Sequence, residues 1–164
     1  MRIGIISDTH DKLKRTVAAV EMLRAEGAEV LFHCGDITRP DVVYALAGLP
    51  SFFVFGNNDD EFAALRRAIN QLDDGVCLEW AGTVTLAGKR IAMTHGHLTS
   101  DMRSLAAERP DYLFFGHSHI ASDRRDGPTR WINPGALHRA DAYSVALLDL
   151  TTDELRFLPI SKPV

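Results

Sequence analysis

The chain alternates short apolar runs with segments of helical period, and glycine or a small polar cluster ends nearly every run. Arg2–Ile6 is apolar and β-branched and stops at Ser7-Asp8, which predicts a buried strand. Leu13–Ala25 carries Leu13, Val17, Val20 and Leu23 at helical spacing and is stopped by Gly27. A helix with those residues on one apolar face is expected. Glu29–His33 and Ser51–Phe55 repeat the strand pattern and end at Gly35-Asp36 and Gly56-Asn57. Pro40–Leu46, with proline in its first turn, and Glu61–Leu72 predict helices. Asp11, just before Leu13, is expected to cap the first helix.

The second half is richer in strands. Val76–Trp80, Thr83–Leu86 and Lys89–Thr94 read as β, with Ala87-Gly88 suited to a hairpin turn. Ser100–Glu108 reads as a helix ended by Pro110, and Asp111–Phe115 as a strand ending at Gly116-His117. Ile120–Arg125, Thr129–Asn133, Ala142–Leu150 and Leu155–Ile160 form a run of β-segments. No repeat, linker or low-complexity stretch divides residues 1–164, so one layered α/β domain is expected, sheets inside and helices outside.

Composition narrows the class. With 164 residues, 46% of them hydrophobic, the chain can bury roughly 70% of its unfolded surface, and disorder is excluded. Apolar stretches such as Phe52–Phe55 and Val145–Leu148 fall far short of the ~20 residues that span a bilayer. Asp8 arrives too early for a leader peptide, so a cytoplasmic protein is expected. Cys34 and Cys77 form no CxxC and are too few for a disulfide scaffold or structural zinc site. A net charge of −4 weighs against a nucleic-acid binder, and Arg124, Arg125, Arg130 and Arg139 read as scattered surface charges. Phe52–Phe55 or Tyr143–Leu148, if exposed, would pair two chains as a homo-oligomer.

Polar residues with metal-binding chemistry fall at the strand ends. Asp8 and His10 follow the first strand, Asp36 the second, and Asn57 with Asp59 the third. His95 and His97 follow Lys89–Thr94, and His117 and His119 follow Asp111–Phe115. Taken singly, such an aspartate is ordinarily a turn residue and such a histidine a satisfied core or surface group. Together they are different, because five of the seven histidines occupy three strand ends, and layered α/β domains build their sites outside the carboxyl ends of strands. Imidazole with carboxylate and amide oxygens, and no thiolate, suits Mn, Fe, Zn, Ni or Co. So many donors exceed one four-coordinate ion and suit two ions sharing a bridging carboxylate, the usual clamp for displacement at phosphorus.

Asp8-Thr9-His10, Gly35-Asp36, Gly56-Asn57-Asn58-Asp59, Thr94-His95-Gly96-His97 and Gly116-His117-Ser118-His119 stand in the order of the calcineurin-like metallophosphoesterases. The sequence most resembles the small single-domain, YfcE-like phosphodiesterases of that superfamily. Asn133-Pro134-Gly135 resembles their C-terminal strand-loop motif, and the resemblance runs from Met1 to about Pro159. It implies a four-layer αββα sandwich, two facing mixed β-sheets flanked by helices. It implies that Asp8, His10, Asp36 and His119 hold one metal and Asp36, Asn57, His95 and His117 the other, with Asp36 as the bridge. Two divalent ions are implied, Mn²⁺ before Ni²⁺, Fe, Co²⁺ or Zn²⁺, with a hydroxide between them attacking a small phosphodiester. A phosphomonoesterase on the same site, or a non-catalytic scaffold resembling the small subunit of retromer, is the alternative.

One position departs from the family pattern. Many relatives carry a histidine directly after the metal-binding asparagine, where it would protonate the leaving oxygen; here that residue is Asn58. His97 is the candidate substitute, beside Asp36 and Asn57 as the expected catalytic residues, and its rival role is to orient a ligand. Asp59 is expected to support the Asn57 loop by hydrogen bonding, His33 to be a satisfied core histidine, and His138 to lie at the surface or the site mouth.

Overall fold

The structure, a computed structural model, describes residues 1–161. In chain order the elements are β1 (Arg2–Ile6), α1 (Leu13–Ala25), β2 (Val30–His33), α2 (Pro40–Tyr44), β3 (Ser51–Phe53), α3 (Phe62–Asn70), β4 (Gly75–Cys77), β5 (Ala81–Leu86) and β6 (Lys89–Thr94). They continue with α4 (Thr99–Ala107), β7 (Tyr112–Phe114), β8 (Ser122–Asp126), β9 (Thr129–Asn133), β10 (Ser144–Asp149) and β11 (Glu154–Pro159). Every predicted element is present, most with ends trimmed by a few residues. Among the described residues no helix is long and apolar enough to cross a membrane.

The strands form two mixed sheets, ordered β11-β10-β1-β2-β3-β4 and β5-β6-β7-β9-β8. In the first, β1 to β4 run parallel, with Ile5 beside Phe32 and Phe32 beside Phe52. In the second, β6, β7 and β9 run parallel, with Met93 beside Phe114 and Phe114 beside Ile132. Alternation along each strand then divides the apolar residues between layers. Ile3, Ile5, Val30 and Phe32 of the first sheet pack against Ile91, Met93, Phe114 and Ile132 of the second. The other face of the first sheet, with Ile6, Leu31 and Phe53, receives Val20 and Leu23 of α1, Val42 and Val43 of α2, and Leu65 and Ile69 of α3. Leu105 of α4 covers Ala92, Leu113 and Trp131 on the outer face of the second sheet. The result is the expected order of layers: helix, sheet, sheet, helix.

Three local expectations change. The buried face of α1 is Thr16, Ala19, Val20 and Leu23, while Leu13 and Val17 are over a third exposed. Helical spacing alone admits both faces, and packing on the sheet selects the one with small residues. Asp11 caps nothing: the N-cap is Lys12, and the Asp11 carboxylate is taken by Lys12 Nζ at 2.6 Å. Phe52–Phe55 and Tyr143–Leu148 belong to interior strands or the buried core next to them, so neither offers a free edge for pairing chains.

Candidate metal centre

The parallel strands β1, β2 and β3, and β6, β7 and β9, end on the same rim, where the loops of both sheets meet. The loops turn sharply there. Asp8, His10, Asp36, His117 and His119 all hold left-handed backbone, with φ between 47° and 65°. Such conformations cost non-glycine residues on the order of 1 kcal/mol or more each and persist only where surrounding bonds fix them. Asp8 N–H donates to the Gly35 carbonyl (3.0 Å) and His10 N–H to the Asp36 carbonyl (2.9 Å), tying the first two loops together.

Asp8, His10, Asp36 and His119 each offer a ligand atom within 4.8 Å of the others. His119 Nε2 lies 3.0 Å from Asp8 Oδ1, and His10 Nε2 3.5 Å from Asp36 Oδ2. His95 Nε2 lies 3.4 Å from Asp36 Oδ2 and 3.9 Å from Asp8 Oδ1. These distances are close, yet Asp8 Oδ1, His10 Nε2 and His95 Nε2 are buried and make no hydrogen bond. Native proteins leave few buried polar atoms unmatched, because each costs about 1–3 kcal/mol. Lone pairs of two carboxylates and several imidazoles, aimed at one small volume and otherwise unmatched, fit a divalent cation.

The remaining atoms of these groups are already engaged. His95 Nδ1 donates to the Cys34 carbonyl (2.8 Å) and His119 Nδ1 to the Arg139 carbonyl (3.1 Å), so each ring turns its Nε2 inward. Asp8 Oδ2 accepts from Ser7 Oγ (2.6 Å) and His117 N–H (3.1 Å), leaving Oδ1 for the cluster. Asp36 Oδ1 accepts from Asn58 N–H (2.9 Å) and Oδ2 from the Asn58 side-chain amide (2.7 Å). Two glycines make room for this: a Cβ on Gly56 would overlap Asp36 Oδ1, and one on Gly116 would overlap Ser7 Oγ and crowd Asp8 Oδ2. Burial alone would raise the Asp36 pKa, but His95 and the Asn58 donors outweigh it and hold the carboxyl well below its usual range. Burial pulls His95 the other way, and the neighbouring Asp36 and Asp8 charges more than reverse that, raising it.

The supports lie behind the ligands. Asp59, almost fully buried, accepts four backbone N–H groups: Gly56 (2.7 Å), Asp36 (3.0 Å), Ile37 (2.7 Å) and Thr38 (2.6 Å). That is the loop-supporting role expected of it. Asn133 donates to the Gly116 carbonyl (2.8 Å) and Ser118 Oγ (3.0 Å), which gives the Asn133-Pro134-Gly135 motif its work on the histidine loop. Asn57 stands exposed on the Gly56–Asp59 turn. His117 is exposed, with its ring edge-on to His95 at 5.2 Å. His97 lies outside the cluster, 5.4 Å from the His95 ring and 6.0 Å from that of Trp80. His138 packs on His10 at 4.5 Å, at the mouth. Sequence reading missed the roles of Ser7 and Asn58, whose only signal was adjacency to a ligand.

His33 is the satisfied core histidine expected. Gly35 N–H donates to His33 Nδ1 (3.3 Å), so Nε2 carries the proton and donates to Thr9 Oγ1 (2.9 Å), which donates to the Asp36 carbonyl (3.3 Å). Full burial lowers its pKa from 6.5 to about 3. Below 6.5 the unfolded chain binds a proton here that the folded chain refuses. Stability from this group is therefore complete above 6.5 and lost progressively down to about pH 3. Urea midpoints of the metal-free protein should fall over that window, and His33→Gln should show a shallower fall; an identical slope would remove His33 from the account.

A family model for the calcineurin-like phosphoesterase superfamily domain matches residues 1–153. The chain belongs to the calcineurin-like phosphoesterase superfamily. As a calcineurin-like phosphoesterase it is a phosphoric ester hydrolase by family. It is 27% identical over 161 residues to phosphodiesterase MJ0936 of Methanocaldococcus jannaschii, covering 95% of this chain and 97% of that one. It is 27% identical over 146 residues to phosphodiesterase YfcE of Escherichia coli K12, covering 84% and 79%. The solved structure of an archaeal phosphodiesterase matches the fold with a TM-score of 0.89 at 26% identity, covering 98% of this chain and all of that one. Vps29 of Entamoeba histolytica, solved with zinc, shares the fold with a TM-score of 0.65 at 17% identity, covering 97% and 91%.

Proposed function

We propose that this calcineurin-like phosphoesterase is a metal-dependent phosphodiesterase with a dinuclear centre, acting on a small phosphodiester. The observation that carries the reading is the buried convergence of Asp8, His10, Asp36, His95 and His119 on unmatched lone pairs. Asp8, His10, Asp36 and His119 would hold one ion, and Asp36, Asn57, His95 and His117 the other. Asp36 is the natural bridge, because its carboxylate faces His10 from the first sheet and His95 from the second. Mn²⁺ suits the imidazole and oxygen donors. Bound divalent ions supply an acidified water and neutralise charge on the phosphoryl oxygens.

The chain's own residues set the rest. Asn58 holds Asp36 in place through two hydrogen bonds, and an amide offers no proton to a leaving oxygen. Burial, with His95 and His117 beside it, lowers the His97 pKa, so at neutral pH the ring is largely neutral and holds no extra proton to give. The leaving oxygen must then depart largely on its own acidity. Nitrophenyl diesters are expected to be cleaved faster than alkyl diesters by far more than the ~10²–10⁴-fold a positioned acid would recover. Comparable rates for the two would show that a proton donor is present.

The deciding assay strips the protein with chelator, then follows bis-p-nitrophenyl phosphate and p-nitrophenyl phosphate with and without added Mn²⁺. Restored cleavage of the diester, weak on the monoester, is the expected result. Faster monoester cleavage would favour the phosphomonoesterase, and no turnover with any divalent ion would favour a scaffold, the reading to which the Vps29 likeness in fold gives its weight.

A further inference from the structure

The four arginines that look equivalent in sequence are not equivalent in the fold. Arg124 lies over the Trp131 ring at 4.1 Å and beside Asp126, Arg125 pairs with Asp153, and Arg130 pairs with both Asp123 and Asp153. The Arg139 guanidinium makes no hydrogen bond or ion pair among the described residues. Its backbone is built into the metal centre: the residue holds a φ of 47°, and its carbonyl accepts the His119 Nδ1 proton.

Arg139 also lines a recess of about 420 Å³ that opens beside the cluster. His119 forms one wall, Ile120, 69% exposed, another, and Asp141 and Ser144 face the same space. The volume is that of a small-molecule site. A free guanidinium suits a phosphate or carboxylate, which it can hold through two parallel hydrogen bonds. Asp141 would repel a bare anion, but it accepts hydroxyl protons, as does Ser144 Oγ, whose own proton goes to the Pro134 carbonyl (2.7 Å). A hydroxylated arm carrying a second anionic group fits both ends of the recess.

We propose that this recess is the subsite for the non-leaving arm of the substrate, and that Arg139 selects a diester whose sugar or polyol arm bears a second phosphate or carboxylate. The inference rests on the phosphodiesterase reading and names the substrate class for the same site.

Two diesters with one leaving group separate the cases. Thymidine 5′-(p-nitrophenyl phosphate) has an uncharged arm, and its 3′-phosphorylated form an anionic one. With Mn²⁺, the chain should prefer the anionic arm about tenfold in kcat/KM, mainly through KM, the effect of one charge-assisted pair. Arg139→Gln should bring the ratio of the two kcat/KM values to about one, the larger loss falling on the anionic-arm substrate, and Arg139→Lys should keep part of the preference. A binding readout needs no metal: adding thymidine 3′-phosphate, but not thymidine, to chelator-treated protein should shift the amide NMR signals of residues 118–121 and 139–144, and Arg139→Gln should abolish the shifts.

Turnover of both diesters without preference would overturn the inference and leave the phosphodiesterase reading intact. Equal loss on both in Arg139→Gln would also overturn it, reducing Arg139 to a positioner of His119. A loss confined to p-nitrophenyl phosphate would assign Arg139 to a monoester's extra charge instead. Failure of both diesters to turn over would sink the activity itself, and the NMR titration would still show whether the recess binds an anion.

Discussion

Asp36→Asn should lower Mn²⁺-restored hydrolysis of bis-p-nitrophenyl phosphate by about 10²–10³-fold or more, the loss seen when one group stabilising transition-state charge is removed. Shape hardly changes, so the loss combines the missing charge with a donor turned toward a donor. In the native site Asp36 Oδ2 faces His10 at 3.5 Å and His95 at 3.4 Å, and both carboxylate oxygens accept from Asn58. An asparagine turns an NH₂ toward either the imidazoles or the Asn58 donors, and no rotamer satisfies both. Calorimetric titration should show at least one Mn²⁺ equivalent lost, while far-UV circular dichroism stays native. An unchanged rate would place the bridge elsewhere.

Asp59→Asn should act in the opposite sense, on stability before activity. Each Asp59 oxygen accepts two backbone N–H groups, Oδ1 from Ile37 and Thr38 and Oδ2 from Gly56 and Asp36. An amide nitrogen in place of either oxygen leaves two buried donors facing another donor. At about 1–3 kcal/mol for each unmatched group, the cost is about 3 kcal/mol in urea unfolding. Burial raises the Asp59 pKa even against those donors, so the folded carboxyl takes its proton more readily than the unfolded one and this group does not destabilise the fold in acid. Folded Asp59→Asn should also bind Mn²⁺ about tenfold more weakly, because the Asp36 loop loses its anchor. Wild-type stability in this variant would mean the loop holds itself.

The architecture was legible because each strand is a short apolar run punctuated by glycine, and because the parallel strands must end on one rim. That rim made the candidate cluster legible too: Asp8, His10, Asp36 and His119 bring ligand-type atoms within 4.8 Å of one another. What stayed hidden depended on rotation and on distance along the chain. The α1 stripe could be phased in two ways, and only the sheet beneath chose Thr16 and Ala19 over Leu13 and Val17. Asn58 drew notice as a missing acid, whereas its visible work is to hold a carboxylate, a contact across 22 residues. Arg139 looked like its three neighbours in composition until their partners, up to 28 residues away, were in place.

The position of β10 has a consequence for how the protein is made. Arg2 of β1 pairs with Asp149, so β1 waits for β10 before its second edge is covered. Until then the emerging chain presents an open, apolar ladder, the kind of surface that captures other unfinished chains. His119 is translated before that edge closes, but the Leu137 N–H that holds the Asp8 carbonyl comes from the segment leading into β10. The Asp8 loop is thus held in full only once the segment leading into β10 is in place.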